Sequence, residues 1–190
     1  SFQDALKINP DENYENFIAF DSKNFHWDYA NKIDLSKNKK YLFDSKSIQN
    51  SIYRPFTRQL SYFNRDLNNR VYQMPKIFPN KDLKNLVISV TGTSKKFSTL
   101  IIDRIPDIQL QFNGQCFPLH YYEERDKQSP TIFDATGDSK YIKRDGVSDF
   151  ILKRARENYG DRVTKEDIFY YVYGILHSPD YRTTFANDLK

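Results

Sequence analysis

The chain reads as an α+β protein, a β-rich body with a C-terminal helical hairpin. Three observations predict this. Leu86-Val87-Ile88-Ser89-Val90 is a short run rich in β-branched residues, the composition of a buried strand. Ile108-Gln109-Leu110-Gln111-Phe112 alternates strictly, as a half-buried strand does. From about residue 147 the apolar spacing lengthens to three or four, which is helical. Strands first and helices last is the arrangement of the α+β class.

The elements follow in order. Residues 1–26 are acidic and mixed, a connecting segment in which Phe17, Ile18 and Phe20 suit a short strand. Asp28 suits the N-cap of a short helix. Residues 37–40 are a basic turn, and 41–43 a strand or helix end. Residues 51–64 alternate as a strand that Pro55 breaks or confines to an edge or bulge, and 64–69 form a turn. Pro75 and Pro79 bracket an extended piece. Residues 86–90 and 97–102 form a hairpin whose turn is Thr91-Gly92-Thr93-Ser94. Asn113-Gly114 is a tight-turn signal that makes 116–122 the partner of 108–112. Residues 123–146 form a long polar loop.

The helical part is more explicit. Phe150, Ile151, Ala155 and Tyr159 share a face, and Gly160 ends that helix. Thr164-Lys165-Glu166-Asp167 resembles a capping box with Asp in the usual place of Glu. The next helix aligns Ile168, Phe169, Val172, Ile175 and Leu176, a stripe expected to face the sheet. Ser178 caps a last helix with Pro179 at its first position.

Charge is concentrated. Between Tyr53 and Lys96 there are nine Lys or Arg against two acids, a local +7 on a chain of +4. Tyr53, Phe56, Tyr62, Phe63, Tyr72 and Phe78 interleave with these cations. Rings beside cations suit a polyanion with sugar–phosphate and base faces; a solvated surface with inward aromatics is the other reading. The 190 residues, 38% hydrophobic, fit one domain over 27–190 after the connecting segment. The single cysteine, Cys116, permits no intrachain disulfide and is compatible with a reducing cytosol, so a cytoplasmic location is expected. No apolar run approaches the roughly 18 residues of a membrane span. The chain begins without Met and ends inside a helical pattern, as a piece of a longer protein would.

Catalytic signatures are scarce. His26, His120 and His177 lack metal-ligand spacing, and His177 suits a helix C-terminus as a structural cation. There is no phosphate-binding G-x-x-x-x-G-K-[ST], no G-x-G-x-x-G and no G-x-S-x-G. Asp107, Glu123 and Arg125 loosely echo the Asp…Glu-x-Lys pattern by which nucleases hold Mg²⁺, which keeps a small Mg-dependent nuclease as an alternative. A protein-interaction module docking through the Tyr-rich helix at 164–177 is another.

Four stretches occur in an order that resembles one family: Tyr53-Arg54-Pro55-Phe56-Thr57-Arg58, Ile105-Pro106-Asp107, Gln115-Cys116-Phe117-Pro118-Leu119, and Thr164-Lys165-Glu166-Asp167-Ile168-Phe169-Tyr170-Tyr171-Val172-Tyr173-Gly174-Ile175-Leu176-His177. Together they resemble the C-terminal target-recognition (specificity) domain of type ISP single-chain restriction–modification enzymes. The resemblance implies double-stranded DNA as partner, together with upstream adenine methyltransferase and helicase domains of the same chain. S-adenosylmethionine, ATP and Mg would serve those upstream domains, with no cofactor and no catalysis in this fragment; the methyltransferase's Asn/Asp-Pro-Pro-Tyr motif is absent here. The candidate DNA-binding residues are Arg54, Arg58, Arg65, Arg70, Lys76, Lys95, Lys96, Lys143 and Arg144. Arg54 and Arg58, in the shared segment, are expected on phosphate or in support of the fold. Arg65 and Arg70 are expected to read bases, and Lys95 and Lys96 to hold phosphate.

Overall fold

A computed structural model of the chain describes residues 13–17, 28–93, 95–125 and 140–189, with Asp4 and Lys7. It divides into two units, Ser1–Ser47 with Phe63–Val71, and Ile48–Tyr62 with Tyr72–Lys190. The mixed α+β class expected from the sequence is found, with helices at the C-terminus.

In the first unit, Tyr14–Phe17 is a single 3₁₀ turn where the sequence predicts the start of a strand; Ile18 and Phe20 lie outside the described residues. Helix α1 (Tyr29–Ser36) starts where Asp28 predicts, its carboxylate accepting from the Asn31 N–H at 2.9 Å. Asn31 is buried and donates to the Tyr41 hydroxyl (3.1 Å) and the Asp66 carbonyl (3.3 Å). Tyr41 donates in turn to Asp34, and the Lys39 ammonium bridges Asp34 (3.0 Å) and Asp66 (2.9 Å). The two carboxylates hold the Lys39 pKa above its ordinary value. A polar network therefore ties α1 to the 64–69 turn. Residues 41–43 are neither strand nor helix end, because Tyr41 is used in that network while Leu42 and Phe43 stay exposed.

The second unit holds strands β1 (Ile48–Arg54), β2 (Thr57–Tyr62), β3 (Val87–Val90), β4 (Thr99–Ile102), β5 (Ile105–Pro106), β6 (Gln115–Pro118), β7 (His120–Glu124) and β8 (Tyr141–Asp145). They form three small sheets, ordered β2-β1-β5, β4-β3-β6 and β7-β8. Pro55 does break the strand predicted over 51–64: β1 and β2 are an antiparallel hairpin with Pro55 and Phe56 as its two-residue loop. Strand β5 joins the other edge of β1 in parallel. The β3–β4 hairpin is as the sequence predicts. The alternating run 108–112 is not a strand. Asp107 begins a chain of turns there, its carboxylate accepting from the Gln109 N–H at 2.8 Å, and positive φ at Phe112 and Asn113 turns the backbone back. Side-chain capture of the backbone wins over periodicity at this point. Strand β6 pairs with β3 instead, and β7 pairs with β8. Thus the end of the predicted 123–146 loop is strand; 126–139 lie outside the described residues.

Helix α2 (Met74–Ile77) is one turn where the prolines predict an extended piece; Pro75 is accommodated in its first turn, where a missing N–H costs nothing. Buried Asn85 knits this region together. It donates to the Ile77 and His120 carbonyls (2.9 and 2.6 Å) and accepts from the His120 N–H (3.1 Å).

Helices α3 (Asp149–Tyr159) and α4 (Lys165–His177) lie where the sequence predicts; α5 (Pro179–Thr184) starts as predicted but stops at its C-cap Phe185, so Phe185 and Leu189, which with Tyr181 are spaced four apart in the sequence, lie beyond it. Ser148 caps α3 and Gly160 ends it at φ 97°. The Thr164–Asp167 capping box is reciprocal, and Ser178 caps α5. The core against α4 is Ile88, Leu119 and Phe169, with Val90, Ile101, Tyr173 and Leu176 packed on it. The inward stripe is Phe169–Tyr173–Leu176, and Val172, predicted to face the sheet, is 44% exposed. A tyrosine takes the place the apolar count assigns to valine, with its ring edge-on to His177 at 4.6 Å. Likewise Phe150, Ile151 and Tyr159 of α3 are exposed. Among the described residues no helix is long and apolar enough to cross a membrane.

Candidate nucleic-acid interface

The tip of the β1–β2 hairpin is built from a bulge and a tight loop. The register Ile52↔Arg58 then Arg54↔Thr57 leaves Tyr53 as an extra residue on β1. Such a bulge re-aims the next side chain. Arg54 stacks over the Tyr53 ring at 4.1 Å and donates to the Tyr53 carbonyl (2.9 Å) and to Asp107 Oδ1 (3.2 Å). Pro55 supplies the first loop position with its fixed φ. Phe56 takes the second at φ 73° and is 98% exposed. That pattern is a type II turn, which prefers Gly or Asn there.

Beside the hairpin lies a cleft of 480 Å³ lined by Arg54 and Pro55, by Ser98 and Leu100, and by the turn from Gln109 to Phe112. Its wall is fixed by hydrogen bonds. Gln111 is buried and accepts from the Ser98 hydroxyl (2.6 Å) and the Thr91 hydroxyl (3.2 Å). Gly92 donates to the Gln111 carbonyl at 3.0 Å, and a Cβ there would sit 2.3 Å from the Phe112 carbonyl oxygen. Only glycine allows that approach. Phe112 is itself exposed, at φ 50°, with the Lys95 ammonium 5.7 Å from its ring centre. One member of each of two cation–ring pairs, Arg54 (with Tyr53) and Phe112 (with Lys95), therefore lines the cleft beside Gln109 and Gln111.

The other sequence-derived candidates are dispersed. Arg58 is exposed on β2 and adds to the field that lowers the Asp103 pKa, after the larger effect of two hydrogen bonds from Arg104 (2.6 and 2.9 Å). Lys96 is exposed next to Lys95; Ser94 lies outside the described residues. Lys76 is exposed on α2. Arg65 and Arg70 are exposed in the first unit. Lys143 and Arg144 are exposed on β8 rather than in a loop, with Arg144 donating to Glu123 at 3.0 Å. Nearby, His120 faces Asp145 at 3.3 Å, and Lys165 donates to the same carboxylate at 2.9 Å. Burial lowers the His120 pKa, helped by Lys143, while Lys165 lowers that of Asp145.

The nuclease-like constellation is not assembled among the described residues. Asp107 is paired with Arg54 and Glu123 with Arg144, and no group of three His, Cys, Asp or Glu could hold a metal there. Gln109, Gln111, Ser98 and Phe112 are the site residues that sequence reasoning missed. The signal for them was Asp107 two residues before Gln109, an Asx-turn spacing hidden under the alternation.

The family model of the Type ISP C-terminal specificity domain matches residues 3–190. Three solved structures are similar. The ATP-dependent Type ISP restriction–modification enzyme LlaBIII bound to DNA is 29% identical, with a TM-score of 0.71 over 87% of this chain and 10% of that one. The DrdV–DNA complex, from cryo-electron microscopy, is 33% identical with a TM-score of 0.71 over 85% of this chain and 15% of that one. A nuclease-deletion mutant of the Type ISP enzyme LlaGI, in complex with a DNA substrate mimic, is 29% identical with a TM-score of 0.67 over 93% and 14%. The chain thus spans between 10% and 15% of the length of these proteins. No curated protein sequence matches it. With the family model matched over nearly its whole length, the chain belongs to the Type ISP C-terminal specificity domain family.

Proposed function

We propose that this domain reads a double-stranded DNA sequence for a restriction–modification enzyme and has no catalysis of its own. The observation that carries the reading is the cleft, whose Arg54 is held against the Tyr53 ring and whose Phe112 ring has the Lys95 ammonium 5.7 Å from its centre, beside the exposed Gln109. Cations fixed on rings lose little freedom on meeting phosphate, and the exposed Gln109 amide can make the paired hydrogen bonds that distinguish adenine in the major groove, while buried Gln111 holds the wall in place. Arg54, Arg58, Lys76, Lys95 and Lys96 are assigned to phosphate. Arg65 and Arg70 of the first unit are assigned to base edges, with Lys143 and Arg144 of β8 at the margin. That the similar structures are bound to DNA or a DNA substrate mimic supports DNA as the partner.

S-adenosylmethionine, ATP and Mg would act in methyltransferase and translocase–nuclease domains of the same polypeptide, in the cytoplasm. The exposed Tyr170, Tyr171 and Val172 on α4, with Phe150, Ile151 and Tyr159 on α3, give those domains an apolar face to rest on.

The test is duplex binding at graded salt. Affinity should fall steeply between about 50 and 200 mM, because phosphate contacts release counterions. Arg54→Ala should weaken cognate and scrambled duplexes alike and reduce the salt slope by about one. Binding that is absent at low salt, or indifferent to salt, overturns the reading.

A further inference from the structure

We propose that Phe56 is a wedge that enters the base stack of the bound duplex; this rests on the DNA-binding reading above. Three features of the hairpin tip point to it. First, Phe56 is almost wholly exposed, so its ring contributes nothing to the core. Second, it sits at φ 73°, where a bulky L-residue is strained and glycine is not. A residue that costs the fold strain and also exposes an apolar ring needs a role outside the fold.

Third, the tip is stiff and charged in the way a wedge requires. Strand β1 is held on both edges, by β2 and by β5, up to Ile52. The Asp107 N–H continues that pairing to the Ile52 carbonyl at 2.8 Å. Pro55 fixes the backbone just before the ring. Arg54 is locked by Tyr53 and Asp107 on one strand, and Arg58 stands exposed on the other. The ring is thus flanked in sequence by cations on both strands, able to hold phosphate while the tip enters a groove. Phenylalanine is among the side chains that part base steps when a protein inserts them from the minor groove. The flanking cations argue against an apolar protein pocket as the occupant, since a pocket for one ring does not need them, whereas a base step lies between the phosphates they can hold.

The experiment uses the chain as described with duplexes carrying 2-aminopurine in place of adenine, whose fluorescence rises on unstacking. The native protein should raise the signal at low salt. Phe56→Ala should abolish the rise and weaken binding by roughly 5- to 150-fold, the range for losing one base–aromatic stack. Phe56→Trp should restore both. Phe56→Gly, which relieves the backbone, should melt no lower than the native protein yet behave as Phe56→Ala on DNA, separating the wedge from folding. If Phe56→Ala binds and brightens the probe like the native chain, the wedge is wrong and duplex binding stands. If the native chain binds no duplex, both readings fall.

Discussion

The β1–β2 hairpin and helix α4 are both rich in aromatic side chains, and they use them in opposite ways. On α4, Phe169 is buried against Ile88 and Leu119, Tyr173 packs beside it, and the helix start is closed by the Thr164–Asp167 capping box. Capping and the burial of Phe169 hold the helix there. On the hairpin, Tyr53 is a bulge, Phe56 is strained and exposed, and Arg54 is held between a ring and a carboxylate. Elements where all levels agree carry stability, and elements where they conflict carry a task that the isolated fold does not reward. The contrast sets a helix–sheet contact that buries its aromatics against a hairpin that exposes one.

The contrast can be broken first at Phe169. Phe169→Ala should cost about 3–5 kcal/mol, read as a lower denaturant midpoint with an unchanged slope, because it empties a packed site. Val172→Asp, one turn on but 44% exposed, should cost under about 1 kcal/mol. Equal losses would show that the helix buries a different face. Thr164→Ala is a milder probe: losing the hydroxyl that accepts from the Asp167 N–H should lower stability by about 1 kcal/mol, and Thr164→Ser should recover most of it in a thermal melt.

The smallest effect concerns pH. Burial lowers the His120 pKa from its ordinary 6.5, so the unfolded chain takes up the proton first as pH falls. Stability should therefore decline as pH drops below about 6.5 and level off once the folded His120 is protonated as well. His120→Asn should flatten that slope in melts recorded across the window. A slope unchanged in the variant would assign it to other groups.

The readable part of the sequence was its local chemistry. Asp28, Gly160, Thr164 and Ser178 mark the helix ends because caps are satisfied within a few residues. The run 86–90 declared a buried strand, and β3 is the middle strand of its sheet. Non-local choices were opaque. Nothing near Gln115–Pro118 says that it pairs with β3 rather than with the preceding alternating run. Within the site, charge pointed to Arg54 and Lys95 but could not say that each rests on a ring. Gln109 and Gln111 looked like the solvent side of a strand, and the Asp107 turn and two positive φ angles place them on a cleft instead.

Cys116 has a practical consequence for studying the hairpin. It is the single cysteine of the chain, half-buried on β6, with its thiol pushed up by burial and only a long 3.9 Å contact to the Ser89 hydroxyl. The thiolate is the species that reacts with maleimides, and its share at neutral pH is reduced by that shift. That shift slows the reaction of the native chain with thiol dyes. A Thr57→Cys variant, with Thr57 exposed beside the loop, would carry the one fast-reacting thiol, so a fluorophore could be placed at the hairpin tip without first removing Cys116 from the sheet.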